Sequence, residues 1–432
     1  MRVFLSCLVC RIVTFVLHKL GRGATSMPGK VALKVKRNVL KDLSENTKVI
    51  VVTGTNGKTT SCRILEEGLK KAGKSYFINK SGANLITGVT ASFIMNSTIT
   101  GKCKKDYAII ECDENAFKEV SRYIHCDVIL VTNVFRDQLD RYGEVTHTLN
   151  AIKESVKNLP NAIVCLDADC SLTYSMSKEI PNKIITFGVN VPFDKNAKAP
   201  EISDAKYCIF CKHEYDYTYH TYGHLGGFVC PNCGYKRPQP DFAVESVEEM
   251  KNDHSVVVAN LNGDRNIIRV NIGGAYNIYN AIGCAAALTA FGIDEKTVID
   301  AIEHFNGAFG RMEHFKAGDN TVNLILVKNP AGFSQTMNFL KNIDDDFTLI
   351  LSLNDNAADG RDISWIWDVD FAGIFEKANV KEIYVTGKRC YDMAVRVKYE
   401  GVGNRKIKII ENEDYNKLVD IATSQGRDVY IV

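Results

Sequence analysis

The sequence predicts an α/β protein built on mostly parallel sheets, and three observations carry that expectation. Apolar, largely β-branched runs at Lys48–Val52, Tyr107–Ile110, Val128–Thr132, Ala162–Leu166 and Ile184–Phe187 alternate with helix-length segments, as a parallel sheet covered on both faces requires. The first run breaks at Thr53–Thr60 into a glycine-bearing loop that opens a helical pattern through Leu69, giving strand, loop and helix in the order a ligand site needs. After Gly310 the alternation resumes with strands near Asn323–Val327, Thr348–Ser352, Glu382–Thr386 and Lys408–Ile410. A second α/β domain follows from that, with the boundary near residues 310–320. The last run, Asp428–Val432, reads as a strand with no closing helix after it, which suggests a truncated end.

Bulk properties narrow the class. A chain of 432 residues is too long for one simple core and divides into two or three domains. With 45% hydrophobic and 24% charged residues it is neither disordered nor a polytopic membrane protein. A net charge of +2 gives no sign of bulk nucleic-acid binding, and 14 cysteines scattered through strands and helices of a long chain fit a reducing cytoplasm better than a disulfide scaffold.

The N-terminal segment, residues 1–45, is helical in pattern. Val3–Leu17 is strongly apolar, but Arg11 interrupts it and no small-x-small cleavage site follows before Lys19 and Arg22. It is too short to span a bilayer, which takes about 20 apolar residues. A helix packed on the protein is the first reading; one that also touches the membrane surface, or a true signal, are the alternatives.

Gly54-Thr55-Asn56-Gly57-Lys58-Thr59-Thr60 has the context of a nucleotide phosphate site. Glycines let backbone N–H groups converge on phosphate oxygens, Lys58 offers a cation to the β and γ phosphates, and the Thr59 hydroxyl can ligate magnesium. Val52 stands where the general Walker pattern has a glycine. The form T-G-T-N-G-K-T-T instead resembles the loop of Mur ligases and folylpolyglutamate synthases.

Further residues fit that resemblance. Glu111, at the end of the Tyr107–Ile110 strand, matches the family's magnesium-binding acid, and strand C-termini are where α/β folds place ligands. Thr132-Asn133-Val134-Phe135-Arg136-Asp137-Gln138-Leu139-Asp140 is similar to T-N-x-x-x-D-H-L-D, with Gln138 in place of the histidine. Asn277 and Asn280 fit an asparagine pair that contacts the nucleotide, and their spacing places both on one helix face. Gly310-Arg311-Met312-Glu313 resembles the G-R-x-E element that closes the central domain, with Arg311 reaching toward phosphate. Lys328-Asn329-Pro330-Ala331-Gly332 takes the place of D-Y-A-H-N-P but lacks its aspartate and histidine, so substrate handling should differ from that of the peptide-adding enzymes.

Residues 205–240 interrupt the alternation. Cys208-x-x-Cys211 and Cys230-x-x-Cys233, separated by 18 residues, have the spacing of a zinc ribbon. Four thiolates leave no open coordination position, so the zinc would be structural. His213, His220 and His224 lie within the connector as surface or metal-flanking residues.

The stretch Asn354-Asp355-Asn356-Ala357-Ala358-Asp359-Gly360-Arg361-Asp362-Ile363-Ser364-Trp365-Ile366-Trp367-Asp368 follows a buried strand and holds both tryptophans of the chain. With the phosphate loop, the four-cysteine insertion and N-P-A-G in the same order, it resembles the amidating, glutamine-dependent branch of the Mur ligases over nearly the whole chain. That resemblance implies a Mur ligase central P-loop domain at 46–312 with the zinc ribbon inserted at 205–240, then a Rossmann-like C-terminal domain at 313–432. It implies ATP and Mg2+ as cofactors beside structural Zn2+. It also implies a heterodimer with a class I glutamine amidotransferase subunit (GatD-type), and amidation of the D-glutamate α-carboxylate of lipid II at the inner membrane face, with no nucleic acid involved. No cysteine here sits in a G-x-C-x-G nucleophile turn, so ammonia must come from the partner, whose catalytic triad Asp362 would complete. The residues alone also allow Asp362 to cap the helix before Ser364-Trp365. An amino-acid-adding ligase and a nucleotide-sensing adaptor are the alternative functions.

Overall fold

The computed structural model of the protein describes residues 1–21, 26–79, 82–136, 145–193, 204–251, 253–305, 312–318, 320–356, 359–371, 373–377, 379–403, 406–411, 414–424 and 426–432. The chain divides into two compact units, Met1–Phe135 with Val145–Phe305, and Arg136–Glu144 with Asn306–Val432.

The first unit is built on a nine-stranded sheet. In chain order its strands are β1 (Lys48–Thr53), β2 (Tyr76–Ile78), β3 (Tyr107–Glu111), β4 (Val128–Val131), β5 (Ile163–Asp167) and β6 (Ile184–Val189), and then, beyond the small hairpin β7 (Asp216–His220) and β8 (Gly226–Val229), β9 (Phe242–Met250), β10 (Ser255–Leu261) and β11 (Asp264–Val270). The spatial order is β2-β3-β1-β4-β5-β6-β9-β10-β11. All pairings from β2 to β9 are parallel, and β10 and β11 add antiparallel to that edge. β1 lies between β3 and β4, where the order of the strands reverses, so the loops leaving β1, β3 and β4 open into one crevice at their C-terminal ends. Val49–Val52 of β1 are buried, which is why this strand reads as a continuous apolar run. Helix Ala275–Ala290 is buried on nearly every side, and its Ala-rich sequence lets it lie close against the sheet.

β9 to β11 are not among the runs the sequence singles out. The β10–β11 turn is Asn262-Gly263, the strongest short hairpin signal available, and it was there to be read.

The second unit carries β12 (Met312–Ala317), β13 (Asn320–Ile325), β14 (Phe347–Ser352), β15 (Val380–Thr386), β16 (Ile407–Ile409) and β17 (Asp428–Ile431) in the order β12-β13-β17-β14-β15-β16. Only β12–β13 is antiparallel. One face packs Phe333, Met337, Leu340, Phe371 and Met393 against Leu349 and Leu351, and the other packs Ile410 and Ile421 against Ile350 and Val429. β17 is an interior strand, paired with β13 and β14.

Residues 2–19 form one helix, Arg2–Lys19. Arg11, the charge that interrupts the apolar run, faces inward and donates to the carbonyls of Ile94 and Ser97 at the end of helix Ile86–Met95. A guanidinium there is favoured by the negative end of the helix dipole.

Candidate functional site

Between β1 and helix Lys58–Lys71 the backbone turns through Gly54 (φ 120°) and Gly57 (φ 85°), conformations that side chains rarely adopt. Space forbids a side chain as well. A Cβ on Gly54 would lie 2.4 Å from Thr132 Oγ1, and one on Gly57 would lie 2.1 Å from Asn280 Oδ1. Each glycine is therefore a point where another element closes on the loop.

The loop is clasped by residues after β4. Thr55 Oγ1 accepts from Phe135 N (3.1 Å) and donates to Phe135 O (3.2 Å), and Thr55 N donates to Asn133 O. Asn56 N donates to Asn133 Oδ1 at 2.9 Å, while Thr132 Oγ1 donates to Asn56 O at 2.7 Å. These bonds give the T-N opening of the motif a structural purpose. Its remainder, Asp137–Asp140 with Gln138, lies outside the described residues, as does Arg311.

Lys58 is 9% exposed. Its ammonium donates to Gly54 O (2.5 Å), Thr55 O (3.3 Å) and Glu114 Oε1 (2.7 Å). Glu114, itself 3% exposed, was not a candidate from sequence, because an acid in the first turn of helix Glu114–Val120 reads as a dipole partner. Thr59 Oγ1 donates to Glu111 Oε2 at 3.0 Å. Adjacent ligands of an octahedral magnesium, each at about 2.1 Å, sit about 3.0 Å apart, so this pair of oxygens fits that cation. Asn79, another residue the sequence did not flag, bonds Glu111 N and O through its amide and fixes the end of β3.

Asn277 and Asn280 lie on one face of their helix, as the spacing requires. Asn280 Nδ2 donates to Asn277 Oδ1 at 2.9 Å, and Asn277 Nδ2 donates to Gly273 O. The structure thus brings Gly54–Thr60, Glu111 and Asn280 together around one crevice.

The four cysteines converge. The Sγ atoms of Cys208, Cys211, Cys230 and Cys233 all lie within 4.8 Å of one another, with 208–233 at 3.6 Å and 211–230 at 3.4 Å. Thiolates at 2.3 Å around a tetrahedral zinc would sit about 3.8 Å apart, so the donor set suits that ion. The two knuckles repeat each other. In one, Lys212 N donates to Cys208 O and Cys208 N to His213 O; in the other, Gly234 N donates to Cys230 O and Cys230 N to Tyr235 O. Lys212 (φ 63°) and Gly234 (φ 74°) take equivalent left-handed positions. Hydrogen bonds from the Asn232 side chain and the His213 backbone lower the Cys211 thiol, while the neighbouring cysteines push Cys233 up, so the proton of the cluster rests on Cys233.

The insertion reaches the nucleotide crevice from behind. Tyr222 stacks on Phe135 at 5.7 Å and His224 tilts against it at 4.4 Å, and Phe135 is the residue that clasps Thr55. Thr221 Oγ1 lies 2.8 Å from Tyr279 OH, one residue before Asn280. Tyr279 in turn donates to Asp169, which pairs with Arg237 at 2.6 Å. His224 departs from the surface or metal-flanking place expected of it: it is buried, 3.3 Å from Cys170 Sγ, and burial lowers its pKa to about 4, so it is neutral. His213 is exposed and His220 stacks on Tyr217.

In the second unit the signature loop follows β14. Asn354 Oδ1 accepts from Lys388 N, Asp355 pairs with Arg389, and Asn356 O accepts from the N–H groups of Asp359 and Gly360. Asp362 Oδ1 accepts from Ser364 N at 2.8 Å, a local turn bond one residue ahead of Ile363, which holds the N-cap position of Ser364–Asp368. The turn Ser364–Asp368 is anchored by buried Ile366 and by Arg396, which donates to Ile366 O and Val369 O. Trp365 packs against Phe333, whereas Trp367 is 47% exposed. Asn329 caps helix Pro330–Lys341 through Gly332 N, with Pro330 in its first turn, which is what N-P-A-G builds.

The family description "Mur ligase middle domain" matches residues 52–233, and "MurT ligase C-terminal" matches residues 326–432. Over 433 aligned residues the chain is 36% identical to a protein of Streptococcus pneumoniae named lipid II isoglutaminyl synthase (glutamine-hydrolyzing) subunit MurT, covering 98% of this chain and 95% of that one. Among solved structures, a pseudomurein peptide ligase type C from Methanothermus fervidus superposes with TM-score 0.67 at 20% identity, over 89% of this chain and 76% of that one. A MurF ligase from Thermotoga maritima in complex with ADP superposes with TM-score 0.62 at 15% identity, over 94% and 80%.

Proposed function

The chain belongs to the MurT family of Mur ligases, and from that premise we propose that it is the ATP-dependent synthetase subunit that amidates the D-glutamate of lipid II during peptidoglycan synthesis. The observation that supports this reading most directly is the crevice in which Lys58, Thr59 and Glu111 meet beneath the glycine turns. The γ-phosphoryl group of ATP passes to the α-carboxylate of D-glutamate, giving an acyl phosphate and ADP. Ammonia adds to the acyl carbon, inorganic phosphate leaves, and the product is D-isoglutamine.

The chain's own part is positioning and charge neutralisation. Lys58 exchanges the Glu114 carboxylate for phosphate oxygens. Thr59 and Glu111 would hold magnesium, which supplies Lewis-acid neutralisation of the phosphates when bound. Gly54–Thr60 present their N–H groups, and Asn277, Asn280 and Arg311 complete the nucleotide contacts. Cys208, Cys211, Cys230 and Cys233 would hold a structural zinc.

Ammonia comes from a class I glutamine amidotransferase subunit of the GatD type in a heterodimer. Asp362 orients the catalytic histidine of that subunit through its second carboxylate oxygen, the work an aspartate does in such triads. With lipid II, ATP and ammonium, the purified chain should release ADP in proportion to amide formed. Lys58→Ala should lower that turnover by roughly 100-fold to 1000-fold; a variant with full turnover would end the ligase reading.

A further inference from the structure

Helix Arg2–Lys19 is turned inside out. Its buried face consists of Ser6, Cys7, Cys10 and Thr14, small and partly polar, while Phe4, Leu5, Ile12, Phe15 and Val16 are 42 to 60% exposed. A surface helix of a soluble protein does the opposite. The exposed set falls at i, i+1, i+8, i+11 and i+12, a single face, and the buried set falls on the opposite one. The helix is nevertheless firmly placed. Ser6 Oγ donates to Ala32 O at 3.1 Å, and Arg11 Nη2 donates to Ile94 O at 3.0 Å. The orientation is therefore fixed by polar contacts, and the large side chains are held outward.

Charge identifies what that face meets. Nine Lys or Arg residues precede the first acidic residue of the chain, Asp42. Of these, Arg2, Lys19, Lys30, Lys34, Arg37 and Lys41 are exposed. Lys19 lies on the apolar face itself, its ammonium 5.0 Å from the Phe15 ring, with a long stem that can carry the charge to a headgroup layer. Among the described residues no helix is long and apolar enough to cross a membrane. An apolar face that carries Lys19, on a helix that does not span and within a stretch that has no acidic residue before Asp42, suits the plane of a bilayer interface.

We propose that helix Arg2–Lys19 lies flat on an anionic phospholipid surface, with Phe4, Leu5, Ile12, Phe15 and Val16 inserted among the acyl chains and the surrounding lysines and arginines over the headgroups. The purpose of such docking, delivery of a lipid-borne substrate, rests on the ligase reading; the docking itself rests on the helix and is tested without the reaction.

The experiment is flotation of the purified full-length chain with vesicles of phosphatidylcholine alone or with roughly one-third phosphatidylglycerol. The chain should float with the anionic vesicles, less so as salt is raised, and not with phosphatidylcholine alone. The double variant Ile12→Ser/Phe15→Ser should partition at least roughly tenfold more weakly while keeping the wild-type Tm and nucleotide affinity. Should that variant fail to fold, Lys19→Glu alone should lower binding to anionic vesicles at low salt. Absence of wild-type binding, or equal binding by the variants, overturns the proposal. So does a wild-type dimer that the double variant converts to monomer, or loss of the glutaminase subunit from the variant, because either result assigns the face to a protein partner.

Discussion

Two loops of this molecule occupy the same kind of place and are built in opposite ways. Gly54–Thr60 leaves β1 and Asn354–Asp362 leaves β14, each a buried strand inside a parallel sheet. The first loop is closed on itself by groups from distant parts of the unit: the side chains of Asn133, Glu114 and Asn280 and the backbone of Phe135. The second is held by turn bonds at Asn356 and Asp362 and by Lys388 and Arg389 just past the end of the neighbouring strand β15, which meet Asn354 and Asp355, and it presents an exposed Asp359. A loop that must do chemistry with its own groups is internally satisfied and rigid. On the proposed reading the second loop would be half of a site shared with another chain, which needs a fixed backbone and outward-facing groups.

Nitrogen source gives the largest test of that contrast. Lys58→Ala should stop amidation whether ammonium or glutamine is supplied. Asp362→Asn should lower glutamine-driven amidation by roughly 100-fold or more and leave ammonium-driven amidation unchanged; equal loss of both would remove the distinction between the loops.

Glu114→Gln asks whether internal satisfaction is a resting state. The variant should lose roughly 1–3 kcal/mol of stability without nucleotide, since Lys58 is left buried without its carboxylate partner. Its affinity for ATP should not fall, because phosphate no longer displaces a competing anion. Weaker ATP binding in calorimetry would instead make Glu114 part of the bound-state site.

How much of this was legible in the sequence follows the same division. The phosphate loop was readable because Gly, Lys and Thr in that order between a strand and a helix answer to one chemistry, and Glu111 because the family resemblance expects an acid at that strand end. Glu114 and Asn79 were not, since an acid or amide near a strand end has many ordinary uses and only folding brings Glu114 within 2.7 Å of Lys58. The four cysteines announced their knuckles through spacing. The contact of Tyr222 and Thr221 with Phe135 and Tyr279 had no local signature, because it joins an insertion to elements 58 to 87 residues away. Strand order was equally hidden; the buried parallel strands β1, β3, β4, β5, β6, β14 and β15 were legible from their apolar runs, whereas β2 and β7 to β12 were not.

That insertion offers the next test. Cys230→Ser, or stripping zinc with a chelator, should lower Tm by roughly 5 °C or more. It should also raise the KM for ATP more than it lowers kcat, since Phe135 and Tyr279 lose their support behind the loop. A ribbon that can be unfolded without effect on KM would be a separate module.

The smallest effect is expected at Asp167, fully buried beneath the insertion. Burial raises its pKa well above the ordinary carboxylate value, with Asp169 adding to the rise. A raised folded-state pKa means that its contribution to stability is complete below about pH 4 and is lost as pH climbs toward the folded value. Asp167→Asn, which cannot ionise, should therefore gain on the order of 2 °C in Tm relative to wild type at pH 8 and little at pH 4. A loss at pH 8 would mean that the carboxylate is ionised and paired.

β17 sets a timetable for the second unit. It fills the slot between β13 and β14 although it is made more than 75 residues after β14 ends. Until Asp428–Ile431 emerge from the ribosome, two half-sheets face each other with unpaired edges, an invitation to stray pairing with other chains. Folding of this unit is therefore obliged to wait for β17, and a nonsense codon placed between β14 and β17 should yield insoluble product in which the first unit remains intact.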